Sequence, residues 1–194
     1  MHDRARLAEL IHFAGHPVIK AHAEREQEVG AADVKLITVS TSRRNATILR
    51  NARPQTGLEA KFSMQFAMAS SIVANRVGLR ELTDEFVRRQ DVQALIPKVT
   101  VAPDDRVDPQ RTGNAPYDQV VIEMADGRRL ESARVTDERG SPQLPLSREE
   151  LWAKFKDCFA VGNPQLDAQA AFDGLMSLER IAGVPALTGL RKAA

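Results

Sequence analysis

Residues 54–77, PQTGLEAKFSMQFAMASSIVANRV, decide how the rest of this chain is read. Pro54 and Gly57 signal a turn, and the pattern behind them reads as one uninterrupted helix. Phe62, Phe66, Ala69 and Val73 recur at helical spacing and mark a single face. Met64, Met68 and Ile72 make a second apolar row on another face. Ser63, Ser70 and Ser71 are small, and with Ala67 and Ala74 they admit a close neighbour. A helix apolar on more than one side is covered on more than one side. Two arrangements satisfy this: the helix lies between the chain's own sheet and a second body, or it is buried within a single core.

Composition narrows the classes. A length of 194 residues suits one domain, or one domain and an appendage. Hydrophobic residues at 43% and charged residues at 27% are ordinary for a globular protein. A net charge of +1 gives no reason to expect nucleic acid or an anionic membrane as the main partner. Aromatic content of 5% also argues against stacking platforms for single-stranded nucleic acid. The single cysteine, Cys158, cannot form an internal disulfide and suggests a reducing compartment. The start, MHDRARLAEL, lacks the apolar core of a signal peptide, and no stretch is long enough to span a bilayer. A soluble cytoplasmic protein is the expectation.

Outward from the central stretch, the elements follow in order. Residues 1–13 hold Leu7, Leu10, Ile11 and Phe13 among charges, a weak amphipathic helix. Gly15-His16-Pro17 leads a helix to about Val29, with Pro17 in the first turn, where its missing N–H is no loss. Residues 34–41 are β-branched and read as a strand, whose alternation slips between Leu36 and Ile37 as a bulge or two-sided burial requires. Downstream, residues 79–90 are a helical pattern with an internal start at Thr83, and 91–96 a short helical turn ended by Pro97. Residues 98–102 read as a strand and 103–116 as a polar, exposed connection. Residues 117–124 alternate, with Val120, Ile122 and Met124 on one face; Asp126-Gly127 is a hairpin turn, and 128–135 the returning strand. After a Gly/Pro-rich linker, Ser147 caps a helix bearing Leu151, Trp152, Phe155 and Phe159, with Glu149 and Glu150 in its first turn. A last helix runs from about Pro164 to Ile181. The fold class is α+β: a small antiparallel or mixed sheet with helices packed on one face, followed by two closing helices.

Gly15-His16-Pro17, the run EAKFSMQFA at residues 59–67, Asp126-Gly127, and the stretch from Leu146-Ser147 to Lys154-Phe155 occur in that order. Together they resemble the MmgE/PrpD family, which includes 2-methylcitrate dehydratase, cis-aconitate decarboxylase and iminodisuccinate epimerase. The resemblance covers roughly residues 14–180 and only the carboxyl-terminal part of a typical member. It implies three segments: a poorly matching start at 1–13, the family's smaller, lid-like α/β domain at 14–145, and C-terminal helices at 146–194. The family's large helical domain is missing and is expected on another chain. The implied chemistry is proton removal next to a carboxylate of a small di- or tricarboxylic acid. Loss of water, loss of carbon dioxide or re-protonation then follows, without metal or organic cofactor. Most acid/base residues are implied to sit in the helical domain, which leaves the catalytic residues on this chain unknown.

His16, Lys61 and Ser63 are the candidate substrate-binding residues. His16 stands at a helix start, where the positive dipole end biases an imidazole toward its neutral form. The resemblance brings Lys61 and Ser63 to the substrate cleft, where they would hold carboxylates; some members carry a tyrosine where Phe66 stands. Plainer readings are a helix-capping His16 and a solvated Lys61. Arg43, Arg44, Arg50 and Arg53 either bind carboxylates or form a solvated run. The spacings of His2, His12, His16 and His22 do not suit a metal. Two functions are thus expected: a polycarboxylate lyase or isomerase domain that needs a helical-domain chain, or a non-catalytic remnant that self-associates. A homo-oligomer is expected in either case.

Overall fold

The computed structural model describes residues 29–74, 76–137 and 140–180. The chain divides into two compact units between Pro145 and Leu146. Strand β1 (Val34–Ser42) is central to the first. β2 (Val99–Asp104) runs parallel to it on one side and β3 (Gln119–Met124) antiparallel on the other. β4 (Arg129–Glu131) pairs with β3, so the order is β2-β1-β3-β4. The α+β class read from the sequence is the one observed. A register shift between Val34 and Leu36 is the bulge, and it lets Val34 and Ile37 both face the core with Val39. Val120, Ile122 and Met124 line the same core, as their alternation requires. Both edges are blunted, β2 by Pro103 and β4 by its short, charged sequence. The return strand is shorter than its alternation suggests. After Glu131 the Ser132 N–H still donates to the Val120 carbonyl, but its hydroxyl takes the Val120 N–H (2.9 Å each) in place of a backbone acceptor, and the next bridge is Asp118–Val135.

Parallel strands need a crossover. Here it holds α1 (Arg43–Ile48), α2 (Gly57–Ala60), α3 (Met64–Ala74), α4 (Asp84–Val87) and α5 (Gln90–Leu95), then a 3-10 turn, Ile96–Lys98, into β2. The stretch 54–77 is therefore not one helix. It breaks at Lys61 and Phe62 because Ser63 starts a new helix, its hydroxyl accepting the Phe66 N–H (3.1 Å). Arg50 forms an isolated β-bridge with Ser63, and the Asn51 N–H donates to the Phe62 carbonyl (3.0 Å). This tertiary pairing engages backbone that an unbroken helix would keep. Phe62 consequently leaves the apolar face and is 45% exposed, whereas Phe66 is fully buried, edge-to-face with Phe86.

Both apolar rows of α3 close inside one core. Met64, Phe66, Met68 and Ala69 join the strand residues in a single cluster, with the helix packed against β2 and α5. The buried serines are satisfied locally: Ser70 donates to the Arg76 carbonyl (2.7 Å) and Ser71 to that of Ala67 (2.6 Å). Of the two arrangements open to a two-sided helix, the single core is the one found.

The second unit contains α6 (Arg148–Gly162), α7 (Ala168–Leu175) and a 3-10 turn, Leu178–Arg180. Ser147 and Glu150 close a capping box at the start of α6. Trp152, Phe155 and Phe159 stack along α6 and meet Phe172 of α7. Leu151, read as part of that apolar side, is 37% exposed, because two helices enclose one line of rings and no more.

Two outcomes follow from this packing. A Cβ at Gly57 would sit 2.2 Å from the Leu82 carbonyl oxygen, so Gly57→Ala must displace backbone. It should cost about 1–3 kcal/mol, read as a lower urea midpoint at unchanged slope. Hydrogen bonds from Arg89 hold the Asp91 carboxyl below its ordinary value, and Arg106 does the same for Asp104. A lowered carboxylate stabilises the fold above its unfolded pKa and loses that contribution as pH falls through the folded one. Thermal melts should therefore fall below about pH 4, and less steeply in Asp104→Asn.

Candidate functional site

The break at residues 61–63 is built from both sides. Thr56 caps α2, its hydroxyl accepting the Glu59 N–H (3.2 Å), while the Glu59 carboxylate takes the N–H groups of Gln55 (2.7 Å) and Thr56 (3.3 Å). The Gly57 N–H donates to Asp84 (2.8 Å), tying α2 to α4. Asn51 then clamps the far end, its side-chain amide donating to the Glu59 carbonyl (2.9 Å) and its N–H to that of Phe62. The turn between is thus a fixed platform.

On that platform Lys61 is exposed and Ser63 is 2% exposed. The two predicted residues share one turn but not one environment. The Ser63 oxygen is engaged as the α3 cap, which leaves its O–H proton as the group it can still donate. His16 lies outside the described residues. Phe66 is fully buried, so that position offers no polar group.

Many arginines of the described residues are ion-paired. Arg43, Arg76, Arg88, Arg106, Arg111 and Arg128 each pair with a carboxylate. The Arg43–Asp105 pair is bidentate, and its hydrogen bonds hold the Asp105 carboxyl below the ordinary range. Arg44, Arg50, Arg53 and Lys61 have no carboxylate partner among the described residues, and all four are exposed. Glu59 is the only acidic residue between 43 and 61, and its Oε2 accepts both N–H groups of the α2 cap. The N-terminus of α3, with its positive dipole end, begins directly behind Lys61. The segment from Arg44 to Lys61 thus carries four cations and one carboxylate, and none of the four cations is ion-paired among the described residues.

A polar depression beside α1 is lined by Asn45, Arg111, Asn114, Asp118 and Thr136. Its arginine is already balanced by Asp108 and Asp137, so it offers an anion little. Among the described residues no group of three or more His, Cys, Asp or Glu is placed to hold a metal ion. Among the same residues no helix is long and apolar enough to cross a membrane.

The sequence matches the MmgE/PrpD C-terminal domain over residues 11–175. The chain belongs to the MmgE/PrpD family. The match runs through the sheet and the α2–α3 turn to the last residue of α7. No curated protein matches the chain. Within this MmgE/PrpD domain the sequence pointed to the turn through its AKFS run. Asn51 carried no signal, because a lone asparagine in a loop acquires its role only when the 50–51 and 59–63 segments meet.

Removing the cap and removing the charge should therefore differ. Ser63→Ala should lower stability by about 1 kcal/mol through loss of the α3 cap. Lys61→Ala, at an exposed position with no partner, should change it by less than about 0.5 kcal/mol. Parallel urea titrations check both.

Proposed function

We infer that this chain is the C-terminal-domain part of a cofactor-independent lyase or isomerase acting on a small di- or tricarboxylic acid, a 2-methylcitrate dehydratase-like activity being one form of it. The family's helical domain completes the site. Family membership supports the reading. The observation that carries it is that Arg50, bridged to Ser63, and Lys61, in the turn itself, are exposed and have no carboxylate partner among the described residues.

In this reading Lys61 and Arg50 hold substrate carboxylates, and the Ser63 O–H donates one hydrogen bond to them. His16, from the family's Gly-His position, adds a further donor. When a proton leaves the carbon next to a bound carboxylate, negative charge spreads onto the carboxylate oxygens. Fixed cations and a helix N-terminus stabilise that charge without reorganising. Release of hydroxide as water, release of carbon dioxide or return of the proton completes the alternatives. The acid and base come from the helical domain.

A second reading, a non-catalytic module that self-associates, is favoured by Leu175, Met176 and Leu178, which are 42–54% exposed on the second unit. Sedimentation of the purified chain tests it: an oligomer that dissociates on Leu178→Asp supports this reading, and a monomer removes it.

For the enzymatic reading, calorimetric titration with citrate, 2-methylcitrate and cis-aconitate should show binding at low salt. Arg50→Gln or Lys61→Gln should weaken it by about tenfold or more, a loss of one charged contact. Arg128→Gln, whose charge is paired with Asp126 in the turn between β3 and β4, should not. Binding equally insensitive to all three substitutions would overturn the assignment.

A further inference from the structure

The far end of the α2–α3 turn is held by Asn51. Its amide donates to the Glu59 carbonyl (2.9 Å) and its N–H to the Phe62 carbonyl (3.0 Å). These acceptors flank Ala60 and Lys61, so the backbone that carries the ammonium is gripped on both sides. One residue earlier, Arg50 bridges Ser63, two residues beyond Lys61. Two exposed cations, Arg50 and Lys61, thus stand on backbone segments that Asn51 ties together.

The front of α2 has other attachments. Thr56 and Glu59 close its capping box, Asp84 accepts the Gly57 N–H (2.8 Å), and Gln93 donates to the Pro54 carbonyl (3.1 Å). None of these bonds reaches past Glu59. Beyond it the turn has short-range bonds of its own, from the Lys61 N–H to the Gly57 carbonyl (3.3 Å) and from the Phe62 N–H to the Glu59 carbonyl (3.0 Å). A helix of four residues cannot sustain such bonds alone, since an isolated helix needs about 12–15 residues. The closing segment of α2 therefore leans on Asn51. Lysine makes that support matter. Its flexible stem must be ordered when the ammonium meets an anion, and a backbone that also moved would add to that cost.

We propose that Asn51 is the positioning residue of the anion site: it acts through Lys61, fixing the backbone from which the ammonium reaches a carboxylate in register with Arg50. The inference rests on the reading above for the ligand, and deepens it by naming the residue that sets its affinity.

Asn51→Ala keeps the N–H and removes the amide, so it tests the clamp directly. Hydrogen exchange read by mass spectrometry should become about three- to tenfold faster over residues 59–63 and stay unchanged over residues 119–124 of β3, because the opening is local. Citrate should bind Asn51→Ala about three- to tenfold more weakly than the unsubstituted chain, the cost of ordering the turn on binding. In a Lys61→Gln background the same substitution should have no further effect, since a residue that acts through Lys61 then has nothing to position. Local exchange together with that non-additivity supports the inference. Equal weakening in both backgrounds, unchanged citrate affinity, or exchange accelerated equally over 59–63 and 119–124 overturns it and leaves Asn51 a scaffold residue. An unsubstituted chain that binds none of citrate, 2-methylcitrate and cis-aconitate overturns the reading above. Exchange then decides the inference by itself, local acceleration supporting the clamp on Lys61 and its absence overturning it.

Discussion

The first unit depends on how the start of α3 is satisfied. A helix buried on both apolar rows cannot leave its first N–H groups without acceptors, since an unpaired buried donor costs about 1–3 kcal/mol. The Ser63 hydroxyl meets that requirement by accepting from Phe66, and the Arg50–Ser63 bridge fixes where the cap stands. Once the cap is placed, Met64 and Phe66 turn into the core and Phe62 turns out of it. The exposure of Lys61 follows from the same break. Packing of the core and presentation of the candidate site are two results of one helix start.

Electrostatics then separates scaffold from site. Short-range pairs such as Arg106–Asp104, Arg128–Asp126 and Arg111–Asp108 neutralise loops locally. Exposed pairs of this kind add little stability, but they leave the surrounding surface nearly neutral. Against that background, the stretch 44–61 sets Arg44, Arg50, Arg53 and Lys61 against a single carboxylate, Glu59, whose Oε2 caps α2.

The second unit shows a different balance. α6 and α7 bring Trp152 and Phe155 against Phe172, with Phe159 stacked on Phe155, but α6 has no fully buried residue. Two short helices bury too small a fraction of their surface for a core of the usual kind. Ring-on-ring contacts and the Arg148–Asp173 pair supply what definition this unit has.

Much of this was legible in the residues alone. The period-two alternation of Val120, Ile122 and Met124 determined a half-buried strand, because side-chain direction in a strand depends only on local backbone, whereas the slip between Leu36 and Ile37 left a bulge or two-sided burial open until the pairing with β3 placed the bulge between Val34 and Leu36. Ser147 with Glu150 determined a helix start for the same local reason. The AKFS run pointed to the family and to the turn that carries Lys61. What the sequence could not settle was whether residues 54–77 form one helix or two. The helical spacing of Phe62 with Phe66 was genuine, yet Ser63 can serve equally as a helix interior residue or as a cap. That choice fell to Asn51 and Arg50, more than ten residues away, whose backbone claims Phe62 and Ser63 only after the crossover has folded back on β1. The charged residues were likewise visible in sequence, but which arginines stay unpaired depends on which carboxylates the tertiary fold brings within reach.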